Sequence, residues 1–511
     1  MSKKKAASTA ESRASITKPL FEAGMQCAKR LYLEQNEARS KPEPSEYQQE
    51  LQELGQRLVE LASQPFPKGI DLGKDEIEDA LKKTHAFLTM GKPGVLFHAA
   101  FRGGGVEVRV DVVLVSAKAE LDLFEVKAGT TVKPRHLQDI ALQIRAIEAS
   151  GFQVKSASIL HLDPRYVHDG SANYPVHKLF RSVDVTRRAR RQIGRVEEQV
   201  ENFTSILEDE GTLDLPTGTW CKNPLPCPFL ERCVKQGPDH PLVELPQLTV
   251  VQERRLHEEA VESVTQLDPE HPGLNPQQRR VVRGVVENRL VVEPFVPEEL
   301  KDVDWPLSFV HIGWHLEPLP RLPKTKPWLK LPFAWSVHRI GQTGYVACNS
   351  FVSSTADDPR RPVLESLVKE LSDAGTVVVY GNGHDERLRA LLDLDPELKP
   401  KLRNLLQAPL LEIGSLIYHG VYHPGFGGHY ELETVYRTLA AVLAEPTRPP
   451  IPELIDESDL EITDDEAASR AYAKIIAKRT RSTTRDKLGA ELDRWAKRSS
   501  AMLYDLWRML K

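Results

Sequence analysis

Apolar positions along the first sixty residues fall at helical spacing. Leu51, Leu54, Leu58 and Leu61 are three or four apart, and helix-type patterning dominates residues 16–60. Turn residues fill 65–73, and 75–88 reads as a charged amphipathic helix. The period then drops to two. Residues 95–98 and 106–115 are strand-like, with β-branched alternation, on either side of a glycine-rich turn at 102–105, and 121–127 continues the strand pattern. Helical spacing returns over 133–148, and 157–162 reads as one more strand, closed by Asp163 and Pro164. Strands and helices mixed in this order predict an α/β sheet core. One long charged helix is expected over 185–209, followed by a Pro-rich coil.

The second half repeats the alternation. Residues 237–297 are helical in pattern and rich in Arg and Glu. Strand patterns follow at 306–310, 333–338, 345–347 and 376–380, then helices run to the C-terminus. Pro318, Pro320, Pro323 and Pro327 mark an extended loop. The expected organisation is a disordered tail over 1–15, an α/β domain over 16–236, a helical connector over 237–300 and a second α/β domain over 301–511.

Composition narrows the class. With 40% hydrophobic and 28% charged residues in 511, the chain has a globular balance and the length for two or three domains. No apolar run approaches the roughly 18 residues that a membrane span needs, and the small, basic N-terminus lacks the apolar core of a secretory signal. A cytoplasmic protein is therefore expected. The formal charge of −5 does not exclude nucleic acid, because local basic patches decide that.

Four of the five cysteines invite a common reading. Cys27 lies on the first helical segment, and Cys221, Cys227 and Cys233 are spaced Cys-x5-Cys-x5-Cys in the Pro-rich coil. Unrelated buried thiols are one reading, though prolines between the last three make a poor core element. A zinc site is another, but zinc ligands usually come in pairs two to four residues apart. An iron–sulfur cluster also takes four thiolates and tolerates wider spacing. Disulfides fit least in a reduced compartment.

The strands carry a second pattern. Asp111 interrupts the apolar run over 110–115, where a carboxylate is costly unless paired or bound to a cation. Glu125 and Lys127 share one face of the next strand, with Val126 turned the other way. If the two strands pair, Asp111 and Glu125 meet at one end of the sheet and suit a hard divalent cation. Lys127 is then placed to stabilise charge on a phosphate. Asp139 and Gln143 lie at i, i+4 on the next helix and face one direction. A surface strand with a salt bridge shows the same Glu-x-Lys, and Asp111 and Gln143 are what add to it.

The set Asp111, Glu125, Lys127 and Gln143 resembles the PD-(D/E)XK nuclease motif of the RecB type. With Cys27, Cys221, Cys227 and Cys233 it is similar to the CRISPR-associated Cas-four exonucleases, in which four cysteines hold a [4Fe-4S] cluster beside the nuclease core. The segments 21–33, 124–133 and 240–246 resemble an uncharacterised bacterial family that joins such a nuclease to a C-terminal DnaQ-like, RNase H-like exonuclease domain. The resemblance implies a restriction-endonuclease-like core with an iron–sulfur staple, and hydrolysis of DNA phosphodiesters, as an exonuclease, with Mg²⁺ or Mn²⁺ at Asp111 and Glu125. It also implies a metal-binding role for His98, which precedes the Asp strand. Protein partners in a phage-defence or DNA-repair complex are a further expectation. A rival reading is a non-catalytic DNA- or protein-binding scaffold.

The second domain departs from that family. His311 and Gly313 stand where it carries an Asp-x-Glu pair, and Arg498 stands where it carries a late Asp, while Asn382 and Glu386 keep part of another motif. Glycine offers no ligand atom and neutral His suits Mg²⁺ poorly. The domain therefore reads as an inactive exonuclease fold. Two Arg-rich runs, 186–195 and 277–283, are candidate phosphate contacts or solvated helix faces. Cys348 reads as a buried strand residue.

Overall fold

The computed structural model describes residues 15–37, 41–208, 215–344, 346–381, 383–394, 396–400, 402, 407–477 and 479–511. The expected tail, apart from Ser15, and Asn382 lie outside them. The chain forms two compact α/β units. One ends at Val167 and resumes over Ser171–Lys235; the other takes His168–Gly170 and Gln236–Lys511. Among the described residues no helix is long and apolar enough to cross a membrane.

The first unit is built on one mixed sheet. Strand β1 (Ile16–Thr17) leads into helices α1 (Lys18–Gln26), α2 (Ala28–Asn36) and α3 (Glu46–Ser63), followed by β2 (Ile70–Asp71) and α4 (Ile77–Thr89). The meander β3 (Gly94–Gly103), β4 (Val106–Val115) and β5 (Glu120–Lys127) is antiparallel, and helix α5 (Pro134–Ala149) crosses to β6 (Gln153–Leu162), parallel to β5. Strand β7 (Phe180–Asp184) closes the order β2-β3-β4-β5-β6-β7. The turn between β3 and β4 uses Gly104 and Gly105 at positive φ, which glycine adopts without a Cβ clash. Val106, Val108, Val110 and Val113 pack against Ile140, Ile144 and Ile147 of α5, the buried stripes that the two periodicities predict.

Two local expectations change. The helical stretch over 16–60 is not continuous, because Cys27 is extended (φ −163°, ψ 132°) and separates α1 from α2. The long helix over 185–209 is two, Thr186–Arg190 and Ile193–Glu208, broken at Arg191 and Gln192 next to the poor helix former Gly194.

The second unit holds a sheet ordered β11-β10-β9-β12-β13. After the short β8 (Val291–Val292), β9 (Leu307–Glu317), β10 (Leu329–Ile340) and β11 (Val346–Val352) are antiparallel neighbours. Strands β12 (Val377–Val379) and β13 (Leu410–Glu412) then add in parallel on the other side of β9. The short β14 (Val421–Tyr422) pairs with β8. The 29-residue helix Ser482–Leu510 packs across β9, β10 and β11. Residues 237–300, expected as a separate connector, belong to this unit. Leu242, Leu256, Val281, Val285 and Leu300 share one buried core with Leu307, Phe309 and Trp507, because their helically spaced apolar faces have that sheet and helix to pack on.

Candidate active site and cysteine pocket

Strands β4 and β5 pair only from Val112↔Phe124 to Val115↔Leu121. Continued by one step, the register sets Asp111 opposite Glu125, where the strands part. The Val126 N–H, which loses its ladder partner there, donates to Asp111 Oδ2 at 2.7 Å. Beyond the fork, β1 takes the freed edge of β4 through Ile16↔Val106 and Thr17↔Glu107. Thr17 caps α1 through its hydroxyl, and the next residue, Lys18, points its ammonium at the fork.

The side chains that meet there form one network. Lys127 Nζ lies 2.8 Å from Glu125 Oε1 and 2.7 Å from Asp139 Oδ2. Lys18 Nζ binds the same Glu125 oxygen and lies 2.9 Å from Asp139 Oδ2. Gln143 Nε2 donates to Glu125 Oε2 at 2.8 Å and to Asp139 Oδ1 at 3.2 Å. Glu125, Asp139 and Gln143 are buried, and Gln143 Oε1 has no hydrogen-bond partner among the described residues. Asp111, Glu125, Lys127 and Gln143, singled out in the sequence, thus converge. Lys18 and the full role of Asp139 were missed. Lys18 carries no motif and reaches the site only because β1 docks on β4.

Burial would push Asp139 up, but Lys18 and Lys127 outweigh it and hold the carboxyl well below its usual range. Burial would likewise lower Lys127, yet Glu125 and Asp139 raise it above the usual lysine range, so its ammonium stays protonated. Asp111 moves the other way: burial, then Glu125, pushes it up to about 7. Among the described residues these carboxylates do not form a group of three with all ligand atoms within 4.8 Å, and the two ammonium groups stand between Glu125 and Asp139.

His98 is not gathered into this network. It sits opposite Asp111 in strand register, where the β3–β4 ladder skips from Phe97 to Ala99, with φ at +53°. Its Nδ1 lies 2.8 Å from Asp71 on β2. The left-handed backbone at His98, and no shift of register, goes with the ring's turn toward that neighbour, which strand alternation alone cannot foresee.

The four cysteines Cys27, Cys221, Cys227 and Cys233 line one pocket, with Lys29 and Arg30 at its wall. Cys27 is placed by the break between α1 and α2. Gln26, next to it and buried, donates from Nε2 to the carbonyls of Trp220 (2.8 Å), Asn223 (3.0 Å) and Leu225 (2.8 Å), and so ties the coil to the end of α1. The Cys227 N–H donates to the Cys221 carbonyl at 2.8 Å, and the Gly218 N–H approaches Cys221 Sγ at 3.4 Å. Burial pushes the Cys221 thiol up to about 11 and raises Cys227 and Cys233. Tetrahedral zinc would bring four sulfurs to about 3.8 Å from one another. Among the described residues no three of these sulfurs lie within 4.8 Å of one another, a spread that suits a larger object. Gln26→Ala is expected to destabilise the first unit by about 1–3 kcal/mol, because three carbonyls lose a buried donor; urea unfolding of the two proteins measures it.

A cleft of about 520 Å³ runs from Lys18, Lys127 and Asp139 past Arg135 to Arg30 and Pro226 of the cysteine coil. The two Arg-rich runs differ. Arg187, Arg188, Arg191 and Arg195 are exposed, and Arg190 pairs with Glu148 at 2.7 Å. In the second run Arg280 is buried and donates to the Tyr418 carbonyl at 2.8 Å, and Arg279 pairs with Glu270 at 2.5 Å. Arg279 and Arg280 are thus engaged within the unit.

In the second unit the positions read as degenerate are filled by packing. A Cβ on Gly313 would meet the Phe333 ring at 2.9 Å and Trp495 at 3.1 Å. His311 packs edge-on against Trp495 at 4.8 Å between centroids, and burial lowers its pKa. Arg498 is buried and donates to the Ile455 carbonyl at 3.2 Å. Glu386 is exposed. Gly313→Glu is expected to cost about 1–3 kcal/mol or more through overpacking and to create no exonuclease activity; thermal unfolding and a nuclease assay test both halves.

Near these residues Glu433 is pushed up to about 7 by burial, then by Asp465 and Asp464, against Arg498. Its folded pKa lies above the unfolded value, so the stability it contributes is complete below the ordinary carboxylate range and is lost as pH rises through about 7. Glu433→Gln should raise the melting temperature relative to wild type at about pH 8 and change it little at about pH 4. An equal shift at both pH values would refute the assignment.

Comparison with known proteins adds one match. A family described as a domain of unknown function (DUF2779) matches residues 315–431, inside the second unit. No curated protein matches the chain.

Proposed function

We propose that the chain is a metal-dependent deoxyribonuclease of the PD-(D/E)XK type, acting from its first unit. The convergence of Asp111, Glu125, Lys127 and Gln143 at the β4–β5 fork carries this reading. The order α4-β3-β4-β5-α5-β6, an antiparallel meander followed by a parallel strand, supports a restriction-endonuclease-like core. The residues fit a divalent cation: two carboxylates face each other across the fork, and the unpartnered Gln143 Oε1 is one more oxygen beside them. Asp111 and Glu125 would hold Mg²⁺ or Mn²⁺, which when bound polarises a phosphate and lowers the pKa of water. Lys127, kept protonated by Glu125 and Asp139, stabilises charge on the scissile phosphate and does not serve as a base. Gln143 orients the carboxylates of Glu125 and Asp139. Arg30 and Arg135 line the cleft with the kind of positive charge that a nucleic-acid backbone needs.

The four-thiol pocket is read as holding a [4Fe-4S] cluster that staples α1 to the coil. The strand order β11-β10-β9-β12-β13, antiparallel then parallel about β9, supports an RNase H-like second unit, and packing at Gly313 and His311 supports its being inactive as an exonuclease.

One observation favours the scaffold reading instead: Lys18 and Lys127 already neutralise Glu125 and Asp139. The test is cleavage of single- and double-stranded DNA by iron-replete protein with Mg²⁺ or Mn²⁺. Cleavage that is lost in Lys127→Ala supports the nuclease. Tight DNA binding without cleavage under either metal supports the scaffold.

A further inference from the structure

We propose that His338, Cys348 and Glu453 form a metal site in the second unit for a borderline-soft divalent cation such as Zn²⁺. His338 and Cys348 are direct partners in the antiparallel register of β10 and β11, so their side chains rise side by side from one face of the sheet. Glu453 reaches that face from the connection between helices Leu432–Val442 and Asp465–Ile476, with Oε2 at 3.3 Å from His338 Nε2. The imidazole nitrogen, the thiol sulfur and the carboxylate oxygen all lie within 4.8 Å of one another.

The partners of His338 Nδ1 leave Nε2 as the nitrogen nearest Glu453. His338 is fully buried, and its Nδ1 lies 2.8 Å from Ser500 Oγ. The single Ser500 hydroxyl hydrogen donates to the Lys497 carbonyl at 3.1 Å. With that hydrogen so placed, Ser500 can accept from Nδ1–H, which leaves Nε2, 3.3 Å from Glu453 Oε2, to give its lone pair to a cation bound there. A histidine whose far nitrogen donates to a fixed partner is the arrangement that metal-ligating histidines use. Ser336 Oγ, 2.6 Å from Ser500 Oγ, holds that partner in turn.

The donor set selects the ion. One nitrogen, one sulfur and one oxygen suit Zn²⁺ and not Mg²⁺, and three protein ligands leave a fourth position for water. A dication with one thiolate and one carboxylate leaves the site neutral, which a buried position favours. Bound there, the ion would clip the connection that carries Glu453 onto the sheet. This site is independent of the nuclease reading and of the four-cysteine pocket, whose sulfurs are spread more widely.

The test uses the full-length, iron-replete protein, titrated with Zn²⁺ against a chelating competitor and with Co²⁺ as a spectroscopic probe. Wild type is expected to take up one equivalent beyond the metal of the four-cysteine pocket, with a thiolate-to-cobalt charge-transfer band. Ser500→Ala should weaken Zn²⁺ binding by about 10- to 100-fold, and Cys348→Ser and Glu453→Gln by at least as much. The cobalt band should vanish in Cys348→Ser, and Cys221→Ser should leave this equivalent intact. Glu453 is half-buried, so Glu453→Gln carries the test if Cys348→Ser does not fold. Wild type, Cys348→Ser and Glu453→Gln binding Zn²⁺ with one affinity would overturn the proposal, as would loss of the equivalent in Cys221→Ser alone.

Discussion

Lys127→Ala is expected to lower metal-dependent DNA cleavage by at least about 100-fold, the cost of removing one preorganised electrostatic group. The variant is a clean probe because the network survives it. Lys18 still pairs with Glu125 and Asp139, and Gln143 still donates to both. Glu125→Ala would be harder to read. It strips a buried partner from Lys18 and Lys127, and breaking a buried ion pair costs about 3–5 kcal/mol. Its activity loss would therefore mix chemistry with folding. Cleavage rates at saturating Mn²⁺, with melting temperature and iron content as controls, separate the two. An unchanged rate in a folded, iron-replete Lys127→Ala protein would remove the first unit as the source of activity.

Cys221→Ser is expected to abolish iron binding and the broad visible absorption of anaerobically purified protein, and to lower DNA cleavage with them. Cys221 is the most buried of the four thiols, and burial favours its neutral form, so a bound metal group would be what draws out the thiolate near neutral pH. The path to the β4–β5 fork is short. Helix α1 ends at Gln26 beside Cys27 and begins at Lys18, which binds Glu125 and Asp139. Loosening the coil therefore loosens the helix that carries Lys18 into the network. Stoichiometric zinc without iron in wild type would sink the cluster assignment. Full cleavage by iron-free Cys221→Ser would show that the cysteine pocket does not influence the β4–β5 fork.

How much was legible depended on the range of each signal. The strands β3, β4, β5 and β6 and the helix α5 follow from local periodicity, and Asp111, Glu125, Lys127 and Gln143 stand out because charged or polar groups interrupt an apolar pattern. The short strands β1, β2 and β13 were not legible. Strands β1 and β2 have two residues each and β13 has three, too few to show a period, and they exist through their sheet partners. The assignment of residues 237–300 to the second unit was hidden for a related reason. An amphipathic helix announces its apolar face but not what covers it.

The sequence by itself determined the chemistry available: carboxylates, a lysine and a glutamine on adjacent strands and a helix, and four cysteines on two distant segments. These are properties of residue type and short spacing. Tertiary structure alone decided three things: that Lys18 enters the site, that His98 turns to Asp71, and that Gln26 clasps the cysteine coil. Each depends on contacts between segments 27 to 199 residues apart, set by where strands pair and where they part. Cys348 shows the same division, since the sequence offers a lone thiol and only the β10–β11 register sets it beside His338.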